Sequence, residues 1–219
     1  MSSVFLIGGG REPEGVRASH APFLAALEGE AVVFLLEEEG ATPERWIGQL
    51  DGRARCVIVS RDRPPAPEDL EGAGGVYVAG GWTPGYAEAM AGFQIPAGMP
   101  YCGFSAGAAI ASSAAIVGGW RLDVRAICPE DAGEDLEAVE PRAGLGLVAF
   151  SVDVHAAQWG TLSRLAAAVE TGLVDEGYAI DEHTVLTVAP DGARSVAGLG
   201  HAWHVRRENG VTAVTPMCA

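Results

Sequence analysis

Early in the chain, four short runs are apolar at every position: Val4-Phe5-Leu6-Ile7, Ala31 to Leu36, Cys56-Val57-Ile58-Val59 and Gly75-Val76-Tyr77-Val78-Ala79. A strand with one face in water alternates polar and apolar residues, so these strands must be covered on both faces. Between them lie helical stretches, one around Ala18 to Leu27 and one opened by Pro43 and running through Leu50. Pro84 can open another through Met90, because proline is tolerated in a first helical turn. Alternating strands and helices of this kind specify an α/β fold, a mostly parallel sheet flanked by helices. Further on, Leu162 to Thr171 reads as a helix, followed by short strands at Tyr178-Ala179-Ile180, Thr184 to Val188, His201 to Val205 and Val211 to Val214. These form a β-rich C-terminal extension to the sheet. No repeat or linker divides the 219 residues, so residues 1–219 are expected to form one domain.

Composition removes several functions. The chain is 48% hydrophobic, but no apolar run reaches the roughly 18 residues a membrane span requires. Twenty-nine acidic residues against 14 basic ones give a net charge of −15, a poor match to nucleic acid or an anionic membrane surface. There is no lysine; every basic side chain is arginine. Cys56, Cys102, Cys128 and Cys218 have neither CxxC nor metal-ligand spacing and read as free thiols. No metal or cofactor is expected. The opening Met1-Ser2-Ser3-Val4 lacks the basic and apolar regions of a secretory signal, so a cytoplasmic location is the expectation. Residues 129–142 form a charged loop containing Glu130, Asp131, Glu134, Asp135, Glu137 and Glu140.

The segment Pro100-Tyr101-Cys102-Gly103-Phe104-Ser105-Ala106-Gly107-Ala108-Ala109 carries the chemistry. Gly103-x-Ser105-x-Gly107 fits a nucleophile elbow, in which a strand turns abruptly into a helix and lifts the serine above the sheet edge. Strand and helix nearly touch at such a turn, which requires small residues two positions either side. The Ala106 N–H, free at the helix start, suits a developing oxyanion. A serine nucleophile also needs a base, and the base an orienting partner. Of the five histidines, His155 ends the apolar run Val152-Asp153-Val154 just before a helix, where catalytic loop residues of α/β proteins fall. His20 has no evident partner, and His183 sits in a turn. His201 and His204, three apart on a strand, point to opposite faces and read as structural.

The stretch Tyr101 to Ala109 resembles the nucleophile segment of the serine peptidases that include peptidase E (aspartyl dipeptidase) and cyanophycinase. Three further blocks resemble that family in the same order: Val76 to Thr83, Gly146 to Leu165 around His155, and Gly177 to Thr184, with Gly8-Gly9-Gly10 also shared. The resemblance runs over residues 4 to 188. It implies a class I glutamine amidotransferase-like fold and a homodimer, with Ser105 as nucleophile and His155 as general base. It also implies backbone N–H groups of Gly81 and Ala106 as the oxyanion hole. For the third member of the triad it offers two residues: Glu182, matching the cyanophycinase-like pattern, and Asp123, nearest to the acid assigned in peptidase E. The implied reaction is hydrolysis of a small peptide substrate through an acyl-enzyme.

The chain also departs from the family. Trp82 stands where the family has Asn, and Val154 and Ala156 flank His155 where Gln and Phe are common. Trp159 and Thr161 occupy positions where acid-specific members carry arginines, leaving Arg164 of that set. Trp82, Trp159 and Arg164 are therefore the expected substrate-binding residues, and strict specificity for acidic residues is not expected. Two alternatives stay open: an α/β-hydrolase-type esterase, although the chain lacks a His-Gly oxyanion dipeptide, and a non-catalytic amidotransferase-like metabolite-binding protein using Gly8-Gly9-Gly10 as an anion cradle.

Overall fold

A computed structural model describes residues 2–38 and 41–219. The elements of the first half are β1 (Val4–Ile7), α1 (Pro13–Ala26), β2 (Ala31–Leu36), α2 (Pro43–Gln49), β3 (Ala54–Val59), β4 (Gly75–Val78), α3 (Thr83–Ala89), β5 (Tyr101–Phe104) and α4 (Ala106–Ala109). Short strands follow: β6 (Ala114–Ile116), β7 (Arg121–Leu122), β8 (Arg125–Ala126), β9 (Pro141–Ala143) and β10 (Ser151–Val154). Then come α5 (Thr161–Glu170), β11 (Glu176–Ile180), β12 (Thr184–Val188), β13 (Arg194–Gly198), β14 (His201–Glu208) and β15 (Val211–Cys218).

The main sheet has seven strands in the order β13-β12-β1-β5-β4-β2-β3. The five early strands are parallel, with β12 antiparallel to β1 and β13 antiparallel to β12. β1, β2 and β4 are buried at every residue, as their unbroken apolar runs require. The C-terminal strands do not all extend this sheet. β12 and β13 do, but β14 and β15 pair with β10 and β11 in a second, four-stranded sheet. That sheet has its own apolar layer, in which Leu165, Ala168 and Val169 of α5 pack against Ala179 and Val205. β13 escapes sequence inspection because Arg194-Ser195-Val196-Ala197-Gly198 is neither continuously apolar nor bounded by apolar runs.

This division positions the site. The chain leaves the second sheet at Ile180 and enters the first at Thr184, so Asp181-Glu182-His183 bridges the two. The turn is anchored on both sides: Asp181 N–H donates to His201 O at 2.9 Å and His183 N–H to Gly9 O at 2.8 Å.

His20 illustrates how the core treats a polar group. It is fully buried, with Nδ1 2.8 Å from Val16 O and Nε2 2.9 Å from the Tyr77 hydroxyl. Burial pushes its pKa down to about 4, so it is neutral in the fold. Since the unfolded chain binds that proton near pH 6.5, stability falls between about pH 6.5 and 4 and levels off below. The linked loss is about 3 kcal/mol. Urea denaturation across that range should show a slope that shrinks in His20→Gln.

Candidate active site

Ser105, the loop Gly80-Gly81 and the loop Gly8-Gly9-Gly10 follow the C-terminal ends of adjacent parallel strands β5, β4 and β1, the edge where α/β sheets present ligand sites. Ser105 has φ 51° and ψ −111°, a conformation that costs a non-glycine residue on the order of 1–3 kcal/mol. The surrounding glycines are required by contact. A Cβ on Gly103 would lie 2.3 Å from Gly107 O, and one on Gly107 would lie 2.2 Å from Val78 O. The elbow therefore closes only because both positions lack side chains. The helix behind it is short, only Ala106–Ala109, so its dipole adds little at the serine. What that helix offers is the Ala106 N–H itself, which donates to no backbone group among the described residues.

The structure brings His155 and Glu182 to Ser105. Ser105 Oγ lies 2.8 Å from His155 Nε2, and His155 Nδ1 lies 2.7 Å from Glu182 Oε1. With the Nδ1 proton shared with the carboxylate, Nε2 is the acceptor for the serine hydroxyl. The ring is fixed from all sides. Its backbone N–H donates to Gly8 O at 3.0 Å, and its face stacks on Trp159 with centroids 3.9 Å apart and planes at 9°. A Cβ on Gly9 would lie 2.2 Å from Cε1, and one on Gly10 would lie 2.2 Å from His183 Nε2. The triple glycine thus packs closely against two imidazoles, those of His155 and His183. Burial pushes the His155 pKa down, partly offset by the Glu182 hydrogen bond and charge.

Asp123 is not part of this arrangement. It sits exposed with φ 52° at the tip of the β7–β8 hairpin. His201 and His204 also lie elsewhere, beside Asp181 and Glu176 respectively. Gln158, which carries no local sequence signal, accepts the Glu182 N–H on Oε1 at 2.9 Å. Asp181, also passed over, is buried and gathers Ala157 N–H, His201 N–H and the Trp203 indole N–H within 3.1 Å. Its place in the turn between two apolar runs is the only signal the sequence offers.

Arg164 departs from expectation. It is buried and does not line the cleft; its guanidinium grips the buried Asp153 through Nε at 2.8 Å and Nη2 at 2.7 Å. Nη1 donates to Gly119 O at 3.1 Å and Ala132 O at 2.6 Å. A fork occupied in this way has nothing left for substrate. It acts instead as the fastener of the acidic loop. Arg164→Met would strand Asp153, which is 1% exposed, and should cost about 3–5 kcal/mol in chemical denaturation. Asp153→Leu combined with Arg164→Met should recover much of that loss, because it removes both charges.

The acidic loop lies over the site. A cleft of about 1190 Å³ is lined by Ser105, His155 and Glu182 together with Trp120, Glu134 and Glu137. Trp82 and Trp159, each 41% exposed, line it. Trp82 ties the loop across the cleft, its indole N–H donating to Glu134 O at 3.2 Å, while the Glu134 carboxylate accepts from Thr83 Oγ1–H at 3.1 Å and Thr83 N–H at 3.3 Å. On the same wall, Glu38 follows the end of β2 and accepts the Trp82 N–H at 3.4 Å. Its position just past a strand end was the available signal for it.

Among the described residues, Glu12, Glu182 and His183 have ligand atoms within 4.8 Å of one another and could share a metal ion. Glu182 is already bound to His155 and His183 Nε2 lies 2.6 Å from Glu12.

Fold and site together define an α/β protein with a Ser-His-Glu constellation at the C-terminal edge of its parallel strands. No family model matches the chain, and no curated protein does. Solved structures do. A peptidase from an acI-B1 Actinobacterium superposes with a TM-score of 0.70 at 17% identity, covering 100% of this chain and 95% of that one. A protein named "Putative Peptidase E Protein", from Listeria monocytogenes EGD-e, gives a TM-score of 0.55 at 19% identity, covering 91% of this chain and 100% of that one. At these identities the likeness establishes a shared fold.

Proposed function

We propose that the protein is a serine peptidase of the peptidase E type that hydrolyses short peptides, with Ser105 as nucleophile, His155 as general base and Glu182 as its orienting carboxylate. The observation that carries this reading is the unbroken chain from Ser105 Oγ to His155 Nε2 at 2.8 Å and from Nδ1 to Glu182 at 2.7 Å, on a serine held in a strained elbow. The peptidase names of the two structural neighbours support a hydrolase of this general kind. From the family resemblance we also propose a class I glutamine amidotransferase-like architecture acting as one domain.

In this reaction the Ser105 oxygen attacks the scissile carbonyl as its proton passes to His155 Nε2. The imidazolium that forms is held by Glu182. The oxyanion takes hydrogen bonds from Gly81 and Ala106 N–H, each such donor being worth about 10²- to 10³-fold in rate. Gly80 brings that loop beside the serine, since a Cβ there would lie 3.2 Å from Ser105 Cβ. His155 then protonates the leaving amine, and the acyl-enzyme is hydrolysed by water deprotonated at the same nitrogen. Trp82 and Trp159 are the proposed apolar contacts for substrate. An esterase of the α/β-hydrolase type is less favoured, because the base beside Ser105 precedes the acid in the chain.

The test is a peptide-library digest read by mass spectrometry, with a fluorophosphonate label mapped on the protein. Cleavage together with a label on Ser105 is expected. A protein that cleaves nothing and takes no label would leave the metabolite-binding alternative standing. The homodimer implied by the family resemblance is tested by analytical ultracentrifugation. No helix among the described residues is long and apolar enough to cross a membrane.

A further inference from the structure

We infer that Trp159 is a positioning residue for the base: its indole face holds the His155 ring and favours the imidazolium that forms as the serine proton arrives. This rests on the peptidase reading above and adds a residue to its machinery. The two ring centroids lie 3.9 Å apart with their planes at 9°. A cation within about 6 Å of a tryptophan face is attracted by the negative potential of the ring, and tryptophan is the strongest of the aromatic partners. The His155 side chain is only 8% exposed, so water screens that attraction poorly.

Core packing does not account for the indole. Trp159 is 41% exposed and belongs to neither apolar cluster of the fold. The aromatic ring it meets among the described residues is that of His155. Specific backbone geometry places it there. Trp159 N–H donates to His155 O at 2.8 Å, closing the turn that carries both rings. Gly160 then takes φ 69° to open α5. Within the same turn, Ala157 N–H donates to Asp181 Oδ1 at 3.1 Å and Gln158 accepts the Glu182 N–H at 2.9 Å. Residues 155–159 therefore carry the base and the indole stacked on it, and grip the turn that supplies the carboxylate.

The edges of the imidazole are taken. Nε2 meets Ser105 Oγ and Nδ1 meets Glu182, while a Cβ on Gly9 would lie 2.2 Å from Cε1. The charge that forms on proton transfer spreads over the whole ring, and Trp159 meets it across a face. Other charged groups do not replace this contact. Glu182 stands on the turn before β12, with Glu12 and His183 paired beside it. Asp153 on β10 and Arg164 on α5 act on the base in opposite directions and bind each other. Gly8, Gly9 and Gly10 bring no charge, and Arg11, Glu38, Arg45 and Glu134 line the wider cleft. Because the indole face holds the charged ring more strongly than the neutral one, its effect grows as the proton moves. Such an interaction raises kcat rather than tightening substrate binding.

The test reads the imidazole in the resting protein and then the reaction. Histidine isotope-labelled at Cε1 is titrated by NMR, the His155 signal being the one absent from His155→Gln. Wild type is compared with a protein carrying a difluorinated tryptophan at position 159, introduced by nonsense suppression. Fluorine drains negative potential from the indole face and leaves its shape nearly unchanged. The His155 titration midpoint should fall by about half a pH unit. On a peptide found by the library digest, kcat should fall about three- to tenfold while KM stays within about twofold. Trp159→Phe, which keeps an aromatic face, should retain more kcat than Trp159→Leu.

An unchanged midpoint and unchanged kcat with the fluorinated indole would overturn the inference and leave the peptidase standing. A raised KM with kcat and midpoint unchanged would also overturn it, making Trp159 a substrate contact alone. A lowered midpoint in a protein that cleaves no peptide would uphold the stabilising stack and refute the peptidase.

Discussion

Ser105→Ala should lower peptide hydrolysis by about 10⁶-fold and leave the fold intact, whereas Ser105→Gly should be equally inactive but more stable than wild type. Removing the nucleophile of a serine peptidase typically costs about that much, the small residual rate coming from binding and the oxyanion donors. The stability contrast is specific to this chain. Ser105 holds φ 51° and ψ −111°, and alanine keeps a Cβ in the same strained place. Glycine relieves the strain, and since such a conformation costs on the order of 1–3 kcal/mol, a net gain of about 1 kcal/mol remains after glycine's entropy in the unfolded chain is subtracted. Paired thermal melts and peptide assays on the two variants check both parts. A Ser105→Ala protein of wild-type activity would end the proposed mechanism. A Ser105→Gly protein less stable than Ser105→Ala would mean that the elbow is unstrained.

The parts of this molecule that could be read from sequence are those governed by local rules. β1, β2 and β4 announce themselves because burial on both faces leaves no room for polar residues. The elbow announces itself because contact of Gly103 with Gly107 excludes any Cβ. Glu182 could be ranked above Asp123 only through family likeness, since the contact to His155 spans 27 positions and depends on a turn joining two sheets. The role of Arg164 is illegible in sequence for a related reason. An arginine near a candidate active site suggests substrate carboxylate, but its true partner, Asp153, lies on a strand that reads as an ordinary apolar run. Nothing local marks a pair that becomes buried only when α5 packs on β10. The acidic loop is a third case. Its composition suggests a solvated surface while its place in the chain between Ser105 and His155 allows it to overhang the site, and the ties from Arg164, Trp82 and Thr83 hold it at the cleft.

Glu182→Gln should reduce kcat by about 10⁴-fold, close to the cost of neutralising the corresponding aspartate in other serine peptidases, while Asp123→Asn should change it less than twofold. Glutamine can still accept the Nδ1 proton through its amide oxygen, so the ring keeps its place between Trp159 and Gly9. What is lost is the charge that stabilises the imidazolium as the serine proton arrives. The pH profile separates that role from simple packing. Burial lowers the His155 pKa and Glu182 raises it. Because the base must be neutral to accept a proton, the wild-type acid limb of kcat/KM should lie below pH 6.5. With the carboxylate gone, the lowering influence is opposed only by the weaker pulls of Asp153 and the Trp159 face. The limb of Glu182→Gln should then move to still lower pH even as the plateau collapses. A variant that loses activity without that displacement would show that Glu182 holds the turn rather than the charge. Asp123→Asn losing as much as Glu182→Gln would reassign the third member to the hairpin.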